Sequence, residues 1–226
     1  MEEKIISVTG HGNIHVVPDV TRVELTLVSL HDTYQEAYEQ TKSDTDKIAR
    51  IMESVKLSKN LPKTIRLDID KKTTNIYDKF NNFKEQKFLG FQLTHLVKID
   101  LGMDNVLLNK VVKSIGDQLK QAEINIGYTL KDSRPSQLRV IERAVLDAKQ
   151  KAEIMAKAAG CRLGMCKNIR YGEEDVHFFS QARYIHGAEE ASCCNRESLE
   201  ITPDDLVMSD TVDVEWCLGE IIEGHE

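Results

Sequence analysis

Residues 10–20 read GHGNIHVVPDV, and how they are read decides the fold. Two glycines two apart invite a phosphate-binding loop. A dinucleotide fingerprint, however, needs its glycines at a strand-to-helix turn, with a third glycine three residues on. Here position 15 is His15, and Gly10 and Gly12 sit inside a strand pattern. Glycine within a strand marks a bulge or a close backbone approach. His11 and His15 share a strand face but lie four residues apart, roughly 13 Å at strand rise, too far to hold one metal ion. The stretch therefore reads as architecture, with a wet strand face carrying the histidines.

Working outward, a strand is expected over 4–17 and a second over 20–30. In the second, Val23, Leu25 and Leu27 alternate with Arg22, Glu24 and Thr26. Period two means one buried face and one wet face. Pro18-Asp19 between them reads as a hairpin turn. A helix follows over 33–55, with Ala37, Thr41, Ile48, Ile51, Met52 and Val55 as its stripe. A strand over 64–70 places Ile65, Leu67 and Ile69 inward, with TTNIYD as its candidate continuation; KFNNFKEQK reads as a long polar turn. A strand over 90–101 puts Phe91, Leu93, His95, Val97, Ile99 and Leu101 on one face. A short helix capped by Asp104 and a strand over 122–130 come next.

The clearest element is the helix after Asp132-Ser133, with Pro135 in its first turn and Gly160 at its C-terminal stop. Ala144, Ala148, Ala152 and Ala156 recur every four residues, which lets it lie close against a neighbour. A short strand follows at GMCKNIRYG. A last strand carries Val212, Val214, Trp216 and Leu218 on one face. Buried parallel strands would be continuously apolar, and these are not. The expected class is α+β: mainly antiparallel sheet with helices packed on one face, the element order hinting at duplicated strand-helix-strand units.

The chain has 226 residues, 41% of them apolar and 30% charged, an ordinary globular composition. No run reaches the roughly 18 apolar residues of a membrane span. The start MEEKIISVTG has no basic or apolar leader, so a cytoplasmic location is expected, or an envelope one if a signal has been trimmed. Five cysteines (Cys161, Cys166, Cys193, Cys194 and Cys217) at irregular spacing make a poor disulfide framework. The net charge is −7, and residues 172–209 hold nine acids against two arginines, so the rest is balanced. Nucleic acid is not expected as a partner.

Three motifs in order resemble the SIMPL domain family. They are Gly10, Gly12, Pro18 and Asp19 ahead of an alternating strand; the alanine-rich helix with Gly160, Leu163 and Gly164; and ITPDDLVMSDTVDVEWCL at the end. The resemblance spans nearly the whole chain and implies a single domain over 1–226 of α+β fold. It also implies a tendency to self-assemble, with rings among some relatives, and links to stress tolerance and the bacterial envelope. No catalytic residues are agreed for the family, so none carry over. The acidic stretch at about 172–209 matches no motif and is expected to be a mobile insertion.

Candidate sites were weighed against plainer readings. His177, His186, Cys193 and Cys194 offer a tetrahedral donor set, but the spacing H-x8-H-x6-C-C departs from zinc fingers. They stand as the alternative to no metal at all. Cys161 and Cys166 have four residues between them, so they are not a redox pair, and are expected to pack at a helix end. His95 is expected to be buried and hydrogen-bonded. Trp216 is expected in the core. Tyr34 and Tyr38 would line a groove or pack; Asp68 and Asp70 would face water. No hydrolase elbow, zinc-protease or P-loop motif is present. The reading is a non-enzymatic, self-assembling scaffold or interaction protein, a homo-oligomer with a possible protein partner and no cofactor. The alternative is a metal- or small-molecule-binding enzyme using the 172–209 loop.

Overall fold

The computed structural model describes residues 4–172, 180–182 and 202–221. In chain order the elements are β1 (Ile5–Val16), β2 (Val20–His31), α1 (Tyr34–Ser54), β3 (Lys63–Tyr77), β4 (Phe83–Gly102), α2 (Asn105–Gln118), β5 (Glu123–Thr129), α3 (Arg134–Ala158), β6 (Cys161–Arg170), β7 (Ser180–Ala182) and β8 (Leu206–Ile221). They form two antiparallel sheets, ordered β1-β8-β6 and β3-β4-β2-β5-β7. The class is α+β, as the alternation implies. The described residues divide into two compact units, one drawn from 4–18, 130–172, 180 and 204–221, the other from 19–129, 181–182 and 202–203.

In the first unit β8 is central. It pairs with β1 from Ile5↔Cys217 to Val16↔Leu206 without a break. The even residues of β1 and β8 face α3, and Val8, Val212, Val214 and Trp216 close on Ala144, Ala148 and Ala152. The helix comes as close as it does because of Gly10 and Gly12. A Cβ at Gly10 would lie 2.0 Å from the Ala144 carbonyl oxygen, and one at Gly12 would lie 2.0 Å from that of Val140. Close backbone approach is thus the role of the two glycines. Gly160, with φ +70°, takes the left-handed conformation just past the end of α3.

The second unit packs α1 and α2 on one face of its sheet. Val23, Leu25 and Leu27 of β2 meet Val97, Ile99 and Leu101 of β4, Ile48, Ile51 and Met52 of α1, and Leu108, Val111 and Ile115 of α2. Thr33 caps α1 through Glu36 N, and Asp104 caps α2 through Val106 N and Leu107 N.

Four expectations are corrected. Pro18-Asp19 is not a hairpin turn: β1 pairs with β8, whereas β2 pairs with β4 and β5. Alternation tells which face a strand buries but not which strand lies beside it. The polar stretch after β3 is not a long turn. Asp78 closes it within five residues, its Oδ1 accepting from Phe80 N (2.8 Å) and Asn82 N (2.9 Å), and β4 begins at Phe83. Ile65, Leu67 and Ile69 are not inward but about half exposed, because β3 is an edge strand that the helices do not reach. Cys166 is exposed on β6 rather than packed.

Candidate functional site

The backbone edges of the two sheets differ in how they are closed. In the first unit, among the described residues, β1 has β8 on one side only, so the groups of Thr9, His11 and Asn13 face outward. Three side chains of α3, four residues apart, meet them. Arg143 Nη1 donates to Asn13 O (2.7 Å), Asp147 Oδ2 accepts from His11 N (2.7 Å), and Lys151 Nζ donates to Thr9 O (3.4 Å). Lys151 also bridges Asp147 at 2.6 Å. The Lys151 ammonium and the His11 N–H hold the Asp147 carboxyl below the usual carboxylate range. This polar row runs one residue behind the alanine row (143, 147, 151 beside 144, 148, 152), so it was visible in the sequence. It covers a strand edge, a recognised means of keeping edges from pairing.

At the far side of that sheet, β6 pairs with β8 through three register shifts. Such irregularities also blunt an edge. In the second unit β3 differs. From Arg66 to Lys72 its register with β4 is unbroken, and among the described residues no strand lies on its outer side. Leu67 and Ile69, 45% and 46% exposed, stand on one face of it. Next to them Tyr34 stacks on Tyr38 (6.2 Å between centroids) and meets Phe91 edge-on (6.4 Å), while Phe88 meets Phe91 at 5.4 Å and Lys71 sits over the Phe91 ring at 5.9 Å. Tyr34 and Tyr38 therefore belong to a half-exposed aromatic cluster. Asp68 bridges Arg66 at 2.7 Å on the opposite face.

A cleft of about 520 Å³ opens where β5 stops short of β2. Leu27–His31 form its floor, Gln40, Asp44 and Lys47 one wall, and residues 117–122 the other. Several of its polar groups are engaged with one another or with α1. Asp44 accepts from Gln40 (3.0 Å) and Lys47 (2.8 Å), and Ser29 Oγ contacts Ala37 O (3.3 Å) and Thr41 Oγ1 (3.2 Å). Ser29 Oγ thus has helix backbone and a hydroxyl as its hydrogen-bond neighbours among the described residues.

His95 is buried, as expected. Its Nε2 lies 2.8 Å from Thr64 Oγ1, which ties β3 to β4. Its Nδ1 has no partner among the described residues. Burial lowers its pKa below the ordinary histidine value. The unfolded chain therefore binds a proton that the folded chain refuses. Stability should be complete above about pH 6.5 and fall as pH drops below it. A His95→Leu variant should lose that part of the acid slope in urea titrations between pH 7 and 5; parallel profiles for the two proteins would refute the assignment.

His11 and His15 lie on the exposed face of β1, as read. Among the described residues no group of three His, Cys, Asp or Glu is placed to hold a metal ion. His177, His186, Cys193 and Cys194 lie outside the described residues. Among the described residues no helix is long and apolar enough to cross a membrane.

The geometry is that of an α+β protein whose distinctive surface is a strand edge. The SIMPL family of proteins of unknown function (DUF541) matches residues 6–216, and the chain belongs to it. No curated protein matches the chain.

Proposed function

We propose that the protein is a self-assembling scaffold or interaction protein rather than an enzyme, and that copies associate through β3. The observation that supports this is the contrast between edges among the described residues: α3 covers β1, register shifts blunt β6, and the run Arg66–Lys72 is left open. Its sequence suits pairing with itself. In an antiparallel two-fold pairing centred on Asp68, Leu67 lies opposite Ile69 of the second copy, and Arg66 lies opposite Asp70. Both pairs occur twice by symmetry. The two central Asp68 carboxylates are each already bridged by their own Arg66.

Light scattering tests this. The expected solution mass is a multiple of 25.7 kDa, unchanged by reductant. The Leu67→Lys/Ile69→Lys double variant should reduce it to the monomer mass, since four like charges would meet across the axis. Both side chains are half exposed, so the subunit fold should survive. A monomeric parent would end the proposal, as would a double variant that keeps the parent mass.

A further inference from the structure

Beyond Gly90 the hairpin of β3 and β4 leaves the sheet. β2 pairs with β4 only as far as Phe91, so among the described residues 72–77 and 83–90 pair with each other alone. Almost every side chain of this ribbon is exposed. A bulge marks its root, where Gly90 takes φ +135° against the His31 carbonyl. At its tip the chain is clamped. Asp78 N donates to Asn82 O (2.9 Å), Asn81 N donates to Asp78 O (3.0 Å), and the Asp78 carboxylate holds Phe80 N and Asn82 N. The backbone N–H groups of Asn82 and Phe80 keep the Asp78 carboxyl below its usual range. This turn holds Phe80 outward at 86% exposure, with Tyr77 and Phe83 beside it at 53% and 60% and meeting edge to face. Along residues 71–89 lie Lys71, Lys72, Lys79, Lys84 and Lys87, against only Asp78 and Glu85, with Lys79 and Lys84 next to these rings in the chain. The ribbon is thus basic in a chain of net charge −7.

We propose that this tip docks on an anionic lipid surface, with Phe80 wedged among the acyl-chain ends and Lys79 and Lys84 against headgroup phosphates. Aromatic rings flanked by lysines suit the membrane interface, where an apolar body and a cation are both accommodated. The shape argues for lipid over protein: the tip is convex, and a bilayer accepts a wedge without a preformed socket. Hydrogen-bonded readout of duplex nucleic acid is disfavoured too, because Phe80 and Phe83 carry no donor or acceptor for paired base edges. The acidic remainder of the chain does not cancel the attraction. From Lys72 to Tyr77 the ribbon extends about 17 Å at strand rise, and the Debye length in physiological salt is about 8 Å. The proposal does not depend on self-association.

The test uses the full chain and sedimentation with vesicles of phosphatidylcholine alone or with a quarter phosphatidylglycerol. Binding is expected to the mixed vesicles, weakening as salt rises. Phe80→Ala should reduce it about tenfold, and Lys84→Gln about fivefold. In Phe80→Trp, emission should be quenched by lipids brominated on the acyl chains, whereas the parent, whose Trp216 is buried, should be unaffected. No binding by the parent would overturn the proposal. So would a Phe80→Ala variant that binds vesicles as the parent does, or one whose defect appears in solution mass or in DNA binding instead.

Discussion

Gly10→Ala should destabilise the first unit by more than about 3 kcal/mol. Adding atoms to a packed interior commonly costs about 1–3 kcal/mol, because side chains give way. Here the nearest obstacle cannot turn aside. The new Cβ would sit 2.0 Å from a main-chain carbonyl oxygen of α3 and 2.6 Å from Ala148 Cβ. Relief needs the whole helix to lift. That would also stretch the bonds from Arg143 and Asp147 to β1 and open the contact with Trp216. Shortening Ala148 to glycine should not rescue the variant, because the tightest contact is with the Ala144 backbone. Gly102→Ala is the control: a Cβ there meets nothing within 4 Å, and the change should stay within about 0.5 kcal/mol. Urea titration followed by Trp216 fluorescence reads the first unit directly. A Gly10→Ala protein with an unshifted midpoint would refute the close-approach account.

This interlock also shows what the sequence makes legible. The glycine pair, the four-residue alanine repeat and the alternation around Trp216 each betray a face, and faces follow from local periodicity. The core of both units was therefore readable, as was the burial of His95. Partners were not. Val17-Pro18-Asp19-Val20 has the composition of a hairpin turn, yet it joins strands of different sheets, because β1 finds its complement about 200 residues away in β8. Nor was the open edge readable. Ile65, Leu67 and Ile69 alternate as a buried strand does, and only the strand order reveals that they lie where the helices end. The ribbon was hidden for the opposite reason: lysines and asparagines around Phe80 look like a loop until the Asp78 clamp is seen.

Trp216→Ala should cost about 3–5 kcal/mol, the range for removing a buried large aromatic. Within that range the cost depends on how far the surroundings can collapse. In the first unit they can move little. Trp216 stands on the central strand, between Ile6 of β1 and Cys166 of β6. The residues packed around it are mostly alanine and valine, too short to reach into the vacated space. Helix α3 is already in backbone contact at Gly10 and Gly12, so it cannot settle closer to the sheet. The cavity should therefore remain largely open, placing the loss toward the upper end. Trp216→Phe, which keeps a ring in place, should cost less. Leu146→Ala on the exposed side of α3 should change little. With the fluorophore removed, far-ultraviolet circular dichroism in urea gives the midpoints. A Trp216→Ala loss no greater than that of Leu146→Ala would mean that α3 is free to follow the sheet inward, and the glycine contacts would then not be the fixed stop that they are taken to be.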